Sequence, residues 1–406
     1  MAPRVVGNIE LGPLLSEGAM GVLYRGLDRR TGQAVAVKTL SPAQQESPRN
    51  ARCLRAEYDL AHGIRHPNVV RFLDLLEQDG VPFLVMELIE GADLRGRLNK
   101  GRLPLAEALE VAKGTASALQ AVHEHDRKRP VVHADVKPEN VMLRDGEGPL
   151  RKERVVLVDF GTALPSRDRQ GVLGRAVSFV QERLQGPQVV GGSSLYMSPE
   201  QASPEELAID VRADVYSLGA VLFEMVTGRP PFLCAADEQS FQDHGRVSLS
   251  AQEALLQSSY AQELRGKQRF APPPPPRKFR PDLPEAVEEV ILTCLQKQPE
   301  RRFASALGLL TALTSFRTSE SGTFVSTRAA GVRAGPARTA YRLPAVAGPL
   351  KGTERILDSV VIKAGRKVAA KEGFPLPPHD KTASGEHALF ENAGDYVVVI
   401  DLKSSN

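Results

Sequence analysis

Asp135, Lys137 and Asn140 lie close together in His133-Ala134-Asp135-Val136-Lys137-Pro138-Glu139-Asn140. They set an acid, a cation and an amide at the spacing phosphoryl transfer uses. That reaction asks for little covalent work: the nucleophile must be aimed, and the charge on the moving phosphoryl group met by groups already in place. A second acid follows in Asp159-Phe160-Gly161, delivered into a turn by the apolar run Val155-Val156-Leu157-Val158. Either aspartate alone reads equally well as a turn cap. Both in order, with partners upstream, read as a site.

Elements able to hold those groups are legible on both sides. Ile9–Leu15 and Gly21–Gly26 read as two strands around Ser16-Glu17-Gly18-Ala19-Met20-Gly21, a hairpin tip whose glycines let backbone N–H groups approach phosphates. The next strand, Ala34-Val35-Ala36-Val37-Lys38, ends an apolar run on a lysine. Ser47-Pro48 supplies an N-cap and first turn, and Cys53, Glu57, Leu60, Ala61 and Ile64 then share a helical face, with Glu57 as its inward acid. Phe83 to Ile89 is an apolar strand running into Glu90-Gly91, and Leu105 to His125 repeats at helical period before Val131-Val132.

In this order the elements resemble the eukaryotic-like protein kinase catalytic domain, specifically the bacterial (Hanks-type) serine/threonine kinases. The resemblance implies a two-lobed α+β fold over 8–315, with an N-lobe at about 8–86 and a C-lobe at about 92–315. It implies ATP with Mg²⁺, or alternatively Mn²⁺, and protein substrates with Ser/Thr acceptors, autophosphorylation included. Lys38, paired with Glu57, would bind the α- and β-phosphates. Gly18, Gly21, Leu15 and Leu23 would cover the nucleotide. Ala36 and Leu143 would sandwich the adenine, the backbone of Glu87 and Ile89 would meet its edge, and Met86 would be the gatekeeper. Asp135 would orient the acceptor hydroxyl and deprotonate it, Lys137 would neutralise the migrating group, and Asn140 and Asp159 would hold the metal. His133 would stack beneath Phe160. Gly192 to Glu200 resembles the substrate-site segment, Asp214 the aspartate that ties down the catalytic loop, and Arg302 the partner of Glu200. Lys137, with Ser193 bracing Asp135, implies serine or threonine as acceptor. His123-Glu124-His125 reads as packing rather than as a zinc fragment.

Two departures carry consequences. Ser16 replaces the first glycine of the hairpin tip. Ala134 replaces the arginine that, in the family, pairs with a phosphorylated activation loop, so phosphorylation-dependent ordering is not expected here. Between Gly161 and Ser198, Val172, Ala176, Val177, Val180 and Leu184 fall at helical spacing, which fits a short amphipathic helix or a loosely ordered insertion. A second insertion follows Phe232, before a helix opened by the capping box Ser250-Ala251-Gln252-Glu253. Pro272 to Pro276 reads as a rigid connector.

The chain has 406 residues, 42% hydrophobic and 25% charged, the composition of a globular protein, and a net charge of +3 singles out neither nucleic acid nor membrane. Cys53, Cys234 and Cys294 fit neither a disulfide framework nor a zinc knuckle. With no long apolar run and no signal-peptide core at Met1 to Asn8, a cytoplasmic location without a membrane span is expected.

Residues 316–350, rich in Ser, Thr, Gly, Ala and Arg, read as a flexible basic linker. In 351–406, Val360-Val361-Ile362 and Tyr396 to Ile400 are β-rich, and the segment loosely resembles a truncated forkhead-associated domain. That resemblance would give Arg366, Ser384 and Asn406 to a phosphothreonine peptide. A remnant without binding is the preferred reading, because Gly385 stands where that family has arginine and the final strands are missing. A pseudokinase or phosphopeptide-binding scaffold is the alternative to an enzyme.

Overall fold

A computed structural model describes residues 4–18, 21–126, 129–166, 195–203, 209–234 and 258–318, together with 324–326, 341–344, 354–357, 362–365, 373–375, 386–392 and 397–401. The chain divides into two compact units. The first comprises Met1–Arg269 and Pro273–Thr327; the second comprises Phe270–Pro272 and Arg328–Asn406.

In the first unit, six antiparallel strands form one sheet: β1 (Val5–Val6), β2 (Ile9–Gly18), β3 (Gly21–Asp28), β4 (Ala34–Thr39), β5 (Phe72–Gln78) and β6 (Val81–Glu87), in the order β1-β2-β3-β4-β6-β5. Alternating apolar side chains explain its one dry face: Val6, Ile9, Leu11, Val35, Val37, Phe83 and Val85 form a buried cluster. β2 runs on to Gly18 because its pairing with β3 continues to Gly18↔Gly21. Gly21, at φ 134°, is obligatory, since a Cβ there would lie 2.3 Å from the Thr39 carbonyl oxygen.

The short helix α1 (Pro42–Gln45) precedes α2 (Pro48–Ala61), which packs on β5 and β6. Ser47 occupies the N-cap with extended backbone, but its side chain makes no capping bond. The buried residues of α2 are Leu54, Glu57 and Ala61, whereas Cys53 and Leu60 are only half-buried and Ile64 lies buried beyond the helix end. The inward stripe therefore keeps Glu57 and Ala61 of the expected face but takes Leu54, in the second turn, where Cys53 was expected.

The rest of the first unit is mainly helical: α3 (Leu94–Leu98), α4 (Leu105–Glu124), α5 (Pro199–Ala202), α6 (Arg212–Thr227), α7 (Ser258–Phe270), α8 (Glu285–Cys294) and α9 (Ala306–Thr314). Asp93 caps α3 by accepting from the Gly96 N–H, and Ser305 caps α9 through the Gly308 N–H. Two small sheets carry the loops: β7 (Gly91–Asp93) pairs with β9 (Val141–Arg144), which pairs with β10 (Val155–Leu157), and β8 (Val131–Val132) pairs with β11 (Leu164–Pro165). α6 is buried from Ala213 to Val226 and packs on α4, α8 and α9. At its crossing with α8, Gly219 leaves no room for a side chain: a Cβ there would lie 2.3 Å from Cys294 Cβ.

The unit continues past 315, because Phe316 is buried and β12 (Phe316–Thr318) pairs with β13 (Phe324–Ser326). The segment read as a linker thus contributes its first residues to the first unit. In the second unit, β14 (Tyr341–Pro344) pairs with β15 (Glu354–Leu357), and β16 (Ile362–Gly365), β17 (Gly373–Pro375), β18 (Glu386–Asn392) and β19 (Val397–Asp401) form a sheet in the order β17-β16-β18-β19. Of the stretches read as β-rich, Ile362 lies in β16 and Val397 to Ile400 in β19, whereas Val360, Val361 and Tyr396 lie outside the described residues. Arg366, Ser384 and Asn406, the amphipathic pattern between Val172 and Leu184, Ser193, and the capping box at Ser250 all lie outside the described residues.

Candidate active site

Lys38 leaves the end of β4 and meets two carboxyl groups. Its Nζ lies 2.8 Å from Glu57 Oε2 on α2 and 2.8 Å from Asp159 Oδ1 after β10. The Glu57 side chain is 3% exposed and that of Lys38 12% exposed, so the pairing is largely shielded from water. Burial alone would lower the lysine pKa, but Asp159 and Glu57 outweigh it and hold it above the ordinary lysine value. Burial would likewise raise Asp159, yet Lys38, then Lys137 and the Gly161 N–H, keep it well below the usual carboxylate range. Glu57 also accepts from the Phe160 N–H at 3.3 Å, which joins α2 to the turn carrying Asp159. Glu57, read as the inward acid of its helix, was expected by the family resemblance to pair with Lys38; the bond to Asp159 is a further result.

Asp135, Lys137 and Asn140 form the second cluster. Lys137 Nζ donates to Asp135 Oδ2 at 2.8 Å, and Asn140 Nδ2 donates to the Asp135 carbonyl oxygen at 2.8 Å and to Oδ2 at 3.1 Å. Burial would lower Lys137, but Asp135, Asp159 and Glu139 raise it. The two clusters are stitched by the Val158 N–H, which donates to the Asn140 carbonyl at 2.9 Å. Asp159 (φ 62°) and Ala134 (φ 63°) both sit in the left-handed region that side chains disfavour, next to or within these clusters.

The loop before Asp135 hangs on α6. Asp214 is fully buried and accepts from the backbone N–H groups of His133 and Ala134 at 2.8 Å each, and its Oδ2 lies 2.8 Å from His123 Nε2. His123 is thus a hydrogen-bonding partner of Asp214 as well as a packing residue. His133 meets Phe160 edge-on at 4.8 Å between centroids, and Phe160 meets Phe72 at 5.9 Å. Arg302 forms a two-pronged pair with Glu200 at 2.7 and 2.8 Å, both side chains buried.

Residues expected around the adenine sit on separate elements. Ala36 is buried in β4 opposite Met86, Leu23 of β3 lies opposite Lys38, Leu143 is half-buried in β9 opposite Ala92, and Leu15 is 45% exposed on β2. A Cβ at Gly18 would meet nothing within 4 Å, so the fold itself does not demand glycine there. The Glu87 N–H is spent on the Arg71 carbonyl, while the Ile89 N–H and C=O take no partner among the described residues. The Glu87 side chain, unassigned from sequence, accepts from the Arg71 N–H and pairs with Arg144, tying the strand end to β9.

Sequence reasoning missed further ties. Asn68 donates to the carbonyls of Lys152 and Val155 at 2.6 and 2.7 Å. Arg95 joins α3 to Glu139 at 2.8 Å, to Glu224 on α6 at 2.7 Å, and to the Tyr196 hydroxyl. Gln201 donates to the Ala134 carbonyl at 2.8 Å. Arg95 and Gln201 act on residues far away in sequence.

The family model described as "Protein kinase domain" matches residues 9–312. A probable serine/threonine-protein kinase of Streptomyces coelicolor is 31% identical over 308 residues, covering 75% of this chain and 39% of that protein. The DNA damage-responsive serine/threonine-protein kinase RqkA of Deinococcus radiodurans is 32% identical over 309 residues, covering 75% and 39%. PknB of Mycobacterium leprae is 29% identical over 309 residues, covering 75% and 42%. The chain therefore spans about two fifths of the length of these relatives. Mutant crystal structures of the Mycobacterium tuberculosis PknI kinase domain share the fold, with a TM-score of 0.52 at 22% identity, over 77% of this chain and 97% of that domain.

Proposed function

This chain belongs to the protein kinase family, and on that premise we propose that it transfers the γ-phosphoryl group of Mg²⁺-ATP to serine and threonine hydroxyls of protein substrates, its own included. The family uses ATP with a divalent metal; Mg²⁺ is the ion favoured here, with Mn²⁺ as a substitute. The observation that carries the reading is the convergence of two charged clusters: Lys38 between Glu57 and Asp159, and Lys137 against Asp135 with Asn140.

The donor set suits a hard cation. Asp159 uses Oδ1 on Lys38 and Gly161 and leaves Oδ2 without a partner among the described residues, and Asn140 spends its NH₂ on Asp135, which turns its amide oxygen the other way. Asp159 and Asn140 would hold the ion, which would supply positive charge against the phosphates. Lys38, fixed by Glu57, would grip the α- and β-phosphates. Ala36, Leu23, Leu15 and Leu143 would enclose the adenine, with the Ile89 backbone free to meet its edge, and Gly18 and Gly21 would let the hairpin backbone close over the phosphates. Asp135 would accept the proton of the acceptor hydroxyl while Lys137, bonded to the same carboxyl, stays charged beside the moving phosphoryl group. Lys137 at this position fits a serine or threonine acceptor rather than tyrosine. Among the described residues no helix is long and apolar enough to cross a membrane.

Purified protein incubated with radiolabelled ATP and casein should incorporate label. Asp159→Asn and Lys38→Met should each reduce turnover by at least about 10³-fold, since each removes a charge aimed at the transferring group, while thermal melts remain cooperative. Wild-type turnover in either variant would refute the assignment of the cluster around Lys38.

A further inference from the structure

Ala134 occupies the place where the family carries a phosphate-reading arginine, yet its backbone is tightly held. Its N–H donates to Asp214 Oδ1 at 2.8 Å, and its carbonyl accepts from Gln201 Nε2 at 2.8 Å. Both peptide groups leading into Asp135 are thus pinned while the residue itself stands at φ 63°, a conformation that costs an ordinary side chain about 1 kcal/mol. Gln201 is itself fixed: its Oε1 accepts from the Ser198 N–H at 3.0 Å, and its own N–H donates to Ser198 Oγ at 3.4 Å. Ser198 is fully buried and Gln201 is 8% exposed.

The residue type carries the argument. A capping box on Ser198 is served equally by glutamate or glutamine at this position, and the positive end of a helix favours glutamate. Glutamate, when ionised, has no hydrogen to give the Ala134 carbonyl. Only the amide satisfies both partners: an acceptor for Ser198 and a donor for Ala134. We propose that Gln201 is a positioning residue that latches the segment Ser198-Pro199-Glu200-Gln201 to the catalytic loop and sets the φ of Ala134, so that Asp135 is aimed without a phosphate on the loop. This inference rests on the reading of Asp135 as the acid that receives the acceptor hydroxyl.

Gln201→Glu tests it, because the variant keeps the cap and loses only the donor, and a protonated carboxyl regains one. The full chain, treated with phosphatase, would be assayed on casein at saturating ATP at about pH 8 and about pH 6, where a buried glutamic acid becomes substantially protonated. Titratable and charged groups on the surrounding elements are Asp135 with Lys137, Asp214 with His123, Glu200 with Arg302, and Asp210 with Arg212. Wild type carries them all, so the variant-to-wild-type ratio at each pH isolates position 201. At about pH 8 the ratio of kcat/KM for casein should fall about tenfold, the worth of one buried hydrogen bond. At about pH 6 it should recover at least about threefold, with the KM for ATP unchanged throughout. Gln201→Met, which can neither donate nor accept, should lose activity equally at both pH values, and it keeps the test standing if the glutamate variant folds poorly. Wild-type kinetics in Gln201→Glu, or an equal, pH-independent loss in both variants, would overturn the latch. A wild-type chain without turnover would instead refute the underlying reading of Asp135.

Discussion

The two clusters of the proposed site, one assigned to the nucleotide and one to the acceptor, are held by different means. On the first, Lys38, Glu57 and Asp159 come from a strand, a helix and a turn, and their shared joint is ionic. On the second, the loop carrying Asp135 hangs from buried Asp214 and Gln201 through backbone hydrogen bonds. An ionic joint of three separate elements loses its Glu57 arm if α2 swings away and keeps only the Lys38–Asp159 pair, whereas a loop pinned by its own peptide groups has no arm on a single mobile helix. The difference assigns adjustable geometry to the nucleotide side and built-in geometry to the acceptor side.

The sharpest way to break that contrast is at Asp214. Replacing it with alanine strands two buried N–H groups and should cost about 3 kcal/mol of stability, roughly two decades in the folding equilibrium, measured by urea unfolding. A loss below about 1 kcal/mol would mean that the loop holds its own shape and the acceptor side is no more pre-built than the other.

Glu57→Gln should act the opposite way. Asp159 still faces Lys38 in that variant and the amide keeps the shape, so the unfolding midpoint should move less than in Asp214→Ala, while kcat/KM for ATP falls about 10²-fold as Lys38 loses its anchor. Unchanged kinetics would show that α2 does not govern the lysine.

The gentlest probe is pH. The folded-state pKa of Asp159 is depressed, so its contribution to stability is present above the ordinary aspartate value of 3.8 and is lost as pH falls below it towards the folded-state value. Lys38 is raised, so its contribution is complete below 10.5 and fades only at higher pH. Melting temperature should therefore be insensitive to this pair between those limits, and Lys38→Met should flatten the acid limb of the curve. An acid limb identical in variant and wild type would remove the lysine as the group that holds Asp159.

The same contrast explains what could be read from the sequence. Lys38, Glu57, Asp135, Lys137, Asn140 and Asp159 were legible because each sits in a short stretch with its own pattern, an apolar strand ending in lysine or an acid after a β run. The inward face of α2 was read one residue off, since positions three and four away from Glu57 both lie near its face and spacing alone cannot choose Leu54 over Cys53. β5 went unread because an edge strand such as Phe72–Gln78 alternates too weakly to announce itself. Arg95, Glu224 and Gln201 were silent for a deeper reason: a side chain whose only task is to hold another segment has no local signature, and its partner is fixed by the fold.

The crossing of α6 and α8 at Gly219 has a consequence for how this protein can be damaged. Asp214 lies five residues earlier on the same helix, about 7.5 Å along its axis, so the crossing acts as a fulcrum for the hook that carries the catalytic loop. A wedge as small as one methyl group would tilt the lever, and misplacement of about 1 Å at a reacting group can cost about 10²-fold in rate. A change at this buried glycine would therefore lower the proposed activity by about that factor while leaving every charged group of the site intact.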